Sequence, residues 1–174
     1  MAIKTLIVNT LAIVCMGIFA SCDKGDYSPL QTSTEACQIV MQCLDRTGTD
    51  LLADKKFAES ISIEGDESHS RIKFDIKGGG NNQALFFTAE LPDQNDMKWS
   101  SDKKEANGIS KITIKFKKHK VTLKCHIKYV VNRPPAASGG KAYLEEVSCN
   151  KQTFKRSGNS VTITLRMDEN GNLL

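Results

Sequence analysis

The chain predicts an all-β fold, mainly antiparallel: a β-sandwich or barrel-like domain of seven or eight short strands. Three observations predict it. Apolar and polar residues alternate in run after run, most cleanly over 121–131, where Val121, Leu123, Cys125, Ile127, Tyr129 and Val131 share one face. The runs are short and bounded by turn-forming clusters such as Gly78-Gly79-Gly80-Asn81-Asn82 and Ser157-Gly158-Asn159. No Gly-rich phosphate loop, strand–helix alternation or internal repeat interrupts the pattern.

The first 21 residues stand apart from this domain. Lys4 gives a short positive region, Leu6 to Phe19 is apolar apart from Asn9 and Thr10, and Ala20 and Ser21 are small. That is the three-part composition of a secretory signal. The apolar run is shorter than the roughly 20 residues a membrane-spanning helix needs. Asp23 to Thr34 is polar, carries Pro29 and has little periodicity, which reads as a flexible tether. The expected organisation is therefore 1–21 signal, 22–34 tether and 35–174 domain.

Within the domain, residues 34–46 fit two patterns. Ala36, Ile39, Val40, Cys43 and Leu44 match an amphipathic helix, with Thr32 and Glu35 as a capping box. Cys37, Ile39, Met41 and Cys43 equally make one face of a strand. Thr47 to Asp50 is a turn and Leu51-Leu52 an apolar anchor. Short strands follow at 60–64 and 71–77, the second with Ile72, Phe74 and Ile76 on one face. The strand over 84–91 places Leu85, Phe87 and Ala89 opposite Phe86. Pro92 to Asn107 reads as a long polar loop containing Trp99.

A strand over 109–117 turns Ile112, Ile114 and Phe116 inward, and Lys118-His119-Lys120 is the turn into 121–131. After a loop through Arg133-Pro134-Pro135 to Gly140, the strand over 142–150 needs a bulge, because Leu144 and Val147 otherwise point to opposite faces. Phe154 reads as an extension of it. The last strand carries Val161, Ile163, Leu165 and Met167 inward, and Asp168 to Asn172 is a polar, frayed end, too short to close a calcium loop.

Net charge is +4, a mild value that does not mark a nucleic-acid binder, and export makes nucleic acid a still poorer partner. With Cys15 in the signal, Cys37, Cys43, Cys125 and Cys149 remain in the domain. Four cysteines in an oxidising compartment allow two disulfides in three connectivities, or buried thiols acting as small hydrophobes. They form no CxxC, and His69, His119 and His126 are dispersed, so no metal site and no cofactor is expected. No nucleophile elbow or His-Glu-x-x-His is present, and a non-enzymatic domain is expected.

The most visible candidate surface is basic. Lys111, Lys115 and Lys117 lie opposite the apolar face of one strand, and Lys124, His126 and Lys128 opposite that of the next, with Lys118 and Lys120 in the turn. Such a face can meet acidic glycans, phosphates or an acidic partner. Lysines there also keep a sheet face solvated and guard it against aggregation. Trp99 is a candidate stacking platform or contact residue, or a plug for one end of the domain.

Ile18-Phe19-Ala20-Ser21-Cys22 resembles the bacterial lipobox, in which the cysteine thiol is acylated, as by palmitate, and becomes the new N-terminus. Asp23-Lys24-Gly25-Asp26 resembles the short acidic surface-export signal of Bacteroidales lipoproteins. With Gly48-Thr49-Asp50-Leu51-Leu52, Tyr129-Val130-Val131 and Tyr143-Leu144-Glu145-Glu146-Val147, most of the chain is similar to small Bacteroides-type lipoproteins with one β-sandwich-like domain. The resemblance implies lipidation at Cys22, a strand over 37–45 and attachment to the outer membrane, exposed at the cell surface. It carries no activity. The function to expect is a lipid-anchored envelope protein binding a glycan or an envelope protein. The alternatives are an accessory subunit of an outer-membrane complex or a small inhibitor of an envelope enzyme.

Overall fold

The computed structural model describes residues 32–80, 82–132, 139–168 and 171–174. The expected signal, Cys22 and most of the tether lie outside the described residues, as do loop positions 133–138. Eleven strands form a nearly closed mixed sheet with a barrel-like shape, so the all-β expectation holds.

The strands are β1 (Thr32–Ala36), β2 (Gln38–Leu44), β3 (Ser62–Gly65), β4 (Phe74–Gly79), β5 (Asn82–Thr88), β6 (Lys98–Trp99), β7 (Glu105–Phe116), β8 (His119–Val131), β9 (Gly140–Cys149), β10 (Gln152–Ser157) and β11 (Ser160–Arg166). Their order across the sheet is β3-β7-β8-β9-β10-β11-β2-β5-β4, with β1 added on β9 and β6 on β7. Two pairings are parallel, β1 with β9 and β2 with β11. Both arise because the chain enters beside β9, turns at Cys37, whose N–H donates to the Thr34 carbonyl at 2.8 Å, and crosses to lie between β11 and β5.

That crossing decides between the two patterns of residues 34–46. β2 is hydrogen-bonded on both sides, and Cys37, Ile39, Met41 and Cys43 are fully buried, as period two requires. Tertiary pairing overrides the local helical template. The cysteines stand as four free, buried thiols rather than as disulfides. The core is the set of inward positions from both sides of the barrel, including Ile112, Ile114, Phe116, Leu123, Leu144 and Ile163.

Several element boundaries differ from expectation. β7 starts at Glu105, inside the stretch read as loop, because Lys98-Trp99 pairs with Asn107-Ala106. The hairpin turn is Lys117-Lys118 rather than 118–120, since Phe116 pairs with His119 and Lys117 takes the left-handed backbone at φ +52°. Phe154 belongs to a separate strand, β10, folded back on β9 by Asn150 and Lys151, both at positive φ as tight hairpins demand. The predicted bulge is present: His126 pairs with Glu146 and Ile127 with Leu144, leaving Glu145 extra. The chain end is tied back rather than frayed. Met167 bridges to Leu173, and the Asp168 carboxylate accepts from Asn172 N at 2.9 Å.

Between β2 and β3 the chain forms a short helix, α1 (Lys55–Glu59), absent from the sequence reading. Asp54 caps it by accepting from Lys56 N, and Phe57 stacks on Phe116 with centroids 5.8 Å apart, closing that part of the core.

Candidate functional site

The long hairpin β7–β8 presents a second face away from the core. Register sets its rows. Asn107 lies opposite Lys128, Ile109 opposite His126, Lys111 opposite Lys124, and Lys115 opposite Lys120. Over the middle rows lies a groove of about 530 Å³. This is within the roughly 300–1,000 Å³ of small-ligand sites. Two other hollows, near Phe86 and near Leu174, measure about 200 and 230 Å³.

The groove has a floor and two walls. Asn107, Ile109 and Lys111 from β7, Lys124 and His126 from β8 and the bulged Glu145 of β9 make the floor. Glu67 forms one wall; Asp96 and Lys98 form the other. The Glu67 wall is the turn after β3. Asp66 N–H donates to the Lys111 carbonyl at 3.0 Å, and its carboxylate accepts from the Thr113 hydroxyl at 2.8 Å. From below, the Glu90 carboxylate accepts from the backbone N–H of Glu67 and Ser68 at 3.2 and 2.9 Å. Gly65 makes room for that carboxylate, since a Cβ there would overlap it.

The second wall depends on another glycine. The segment 92–97 turns through a single 3-10 turn, Gln94–Asp96, capped by the Asp93 carboxylate on Asn95 N at 2.8 Å. It then lies directly over Gly108. A Cβ at 108 would collide with Met97 Sδ and come within 2.7 Å of Pro92 Cγ. Beneath it, Ser110, turned inward and fully buried, donates its hydroxyl to the Glu90 carbonyl, so both walls meet at Glu90.

Charge on the outer face of the hairpin is divided. Three of the sequence-predicted basic residues are engaged by carboxylates. Lys115 Nζ donates to Glu64 at 2.8 Å, Lys128 lies 2.7 Å from Glu105, and His126 lies 3.8 Å from Glu146. The lysine hydrogen bond holds the Glu64 carboxyl below its usual range, and Glu105 raises the Lys128 ammonium. Lys117 sits in the hairpin turn with its Nζ 5.8 Å from the Phe57 ring, directed to α1 and outside the groove. Lys124 is different. It stands directly opposite Lys111, and among the described residues neither forms an ion pair with a carboxylate. Like charges opposed across a ladder are destabilising.

The acidic wall is also strained electrostatically. Burial, then the Asp96 and Glu90 carboxylates, push the Glu67 carboxyl up, partly offset by Lys111. Trp99 lies just outside the groove, 39% exposed, its ring edge-on to Tyr129 at 5.8 Å. It does not line the groove. Among the described residues no group of three His, Cys, Asp or Glu side chains is placed to hold a metal.

The structure thus keeps Lys124 and His126 of the predicted set and brings Asn107, Ile109, Lys111, Lys98, Asp96, Glu67 and Glu145 to them. Two of these carried a signal in the sequence: Lys111 shares the outward parity of Lys115 and Lys117, and Ile109 is out of phase with Ile112, Ile114 and Phe116, so an apolar side chain had to face out, where it is 46% exposed. The walls carried none, because they depend on contacts between distant segments. Compared with known proteins, the chain matches no family model, no curated protein and no solved structure.

Proposed function

We propose that this is a lipid-anchored protein of the bacterial outer membrane, exposed at the cell surface, whose β-domain binds a ligand without catalysis in the groove over β7 and β8. The observation that carries the binding half is the opposed pair Lys111–Lys124 on the groove floor. Two facing ammonium groups destabilise the pairing, and a negative or strongly polar group lying over them relieves that cost. The exposed Ile109 beside them supplies apolar contact, and two glycine-dependent walls give the site a fixed shape.

The anchoring half rests on Ser21-Cys22 and the polar spacer behind it. Each buried methylene is worth about 0.8 kcal/mol, so a multiply acylated cysteine holds a domain at a membrane durably. Cys22→Ala should move the protein from the detergent-requiring membrane fraction to the soluble fraction; a variant that stays with membranes would sink the anchor. Ile109→Asp should abolish retention of the protein on envelope-derived ligands while leaving its thermal midpoint nearly unchanged. Undiminished retention would exclude the groove as the binding site.

A further inference from the structure

We propose that the groove takes an acidic saccharide, a sugar chain bearing spaced carboxylates such as a uronic-acid oligomer, with one carboxylate seated between Lys111 and Lys124. This rests on the reading of the groove as the binding site. Three features of the groove select that chemistry. Lys111 and Lys124, opposed in register on two strands and both lining the groove, supply a site for one anionic group. Ile109, exposed on the adjacent row, offers an apolar platform for the C–H face of a pyranose ring. Glu67 and Asp96, facing into the groove from the walls, and Asn107 on the floor accept hydrogen bonds from hydroxyls.

The carboxylates of the walls, Glu67 and Asp96, also exclude. A ligand with several charges on each unit and few free hydroxyls, such as a heavily sulfated chain, would bring more anions against Glu67 and Asp96 than the two lysines can meet. Burial first, and then the Asp96 and Glu90 carboxylates, already disfavour the charged form of Glu67. A neutral sugar would satisfy the walls but leave the two lysines opposed. Hydroxyl-rich chains with one carboxylate per ring satisfy both.

The test uses the full chain in detergent and titration calorimetry with four probes: a galacturonic-acid tetramer, the same tetramer fully methyl-esterified, heparin and inorganic phosphate. The acid tetramer should bind at least about tenfold tighter than its ester. It should also bind tighter than heparin or phosphate. A Lys111→Gln, Lys124→Gln double variant should lose about tenfold or more in affinity for the acid form and little for the ester. Lys115→Gln, whose partner is Glu64 outside the groove, should bind like the parent.

Equal affinity for acid and ester, full retention by the double variant, no binding of the acid tetramer, or stronger binding of heparin would each overturn the assignment. Groove-dependent capture of a neutral glycan, lost in Ile109→Asp, would overturn the acidic-sugar assignment and leave the groove reading standing. Acid-tetramer binding that Ile109→Asp leaves intact would instead remove the groove itself.

Discussion

On the inner face of the β7–β8 hairpin, Ile112, Ile114, Phe116, Leu123 and Cys125 are fully buried and Val121 and Ile127 nearly so. On its outer face the same two strands put Lys111 against Lys124 and Lys115 against Lys120. One alternating sequence therefore obeys two rules. Inside, each side chain is fixed by packing, and even the thiols are treated as hydrocarbon. Outside, the row ends are neutralised by Glu64 and Glu105, whereas the central row keeps its repulsion. Stability alone would have placed a carboxylate in that row as well. The difference is the one the proposed ligand site requires of the central row.

The sharpest contrast between the faces is chemical. Burial pushes the Cys125 thiol up to about 12 and Cys37 up to about 11, and it raises Cys43 and Cys149 as well. For Cys125 the thiolate fraction near neutral pH falls about a thousandfold below that of an unperturbed thiol. Iodoacetamide at pH 8 should therefore leave all four thiols unmodified in the native chain and alkylate all four once it is denatured without reductant. Peptide mass mapping reads both. Labelling in the native state would break the buried-thiol picture of the inner face, and resistance after denaturation would reveal a disulfide.

Gly108 links the two faces, being part of β7 and the point where the 92–97 wall rests on it. Gly108→Val would drive a side chain into Met97 and Pro92. Overpacking of this kind costs about 1–3 kcal/mol, so the denaturation midpoint should fall accordingly. Ligand retention should fall further than the stability loss accounts for, because the displaced wall carries Asp96 and Lys98. A variant with the parent's midpoint and retention would show that the wall is not held at Gly108.

The inner face was legible in the sequence, whereas of the site only Lys111, Lys124 and His126 on the floor were, for a physical reason. Period-two alternation is a local property, so Val121 to Tyr129 declared their burial directly, and the clash of phase between Leu144 and Val147 announced the bulge at Glu145. The helix–strand ambiguity at 34–46 was not local. Its outcome was set by β11, more than a hundred residues away. The groove is less local still. Lys115, Lys117 and Lys128 share parity or neighbourhood with Lys124, but only tertiary contact shows that Glu64, Phe57 and Glu105 occupy them. The walls arise where residues 65–68 and 92–98 converge on β7 through Glu90 and Gly108, a meeting no spacing rule encodes. The tight turns at Lys117-Lys118 and Asn150-Lys151 were missed because lysine and asparagine there take positive φ usually left to glycine.

The smallest expected effect separates folding from function most directly. Lys124→Glu would place a carboxylate opposite Lys111 in the central row, giving it the neutralised arrangement the row ends already have. Replacing a like-charged cross-strand pair by an opposite-charged one is worth about 0.2–1 kcal/mol, so the denaturation midpoint should rise slightly at low salt. The gain should shrink as ionic strength screens the pair. The same substitution should abolish binding of the acid tetramer, because the anion's seat is then filled by the protein's own carboxylate. A single change that stabilises the fold and removes binding is what a row kept repulsive for a ligand predicts. If Lys124→Glu instead lowers the midpoint, or stabilises without affecting binding, the central lysines belong with the row ends, and the outer face of the hairpin has only one kind of charge.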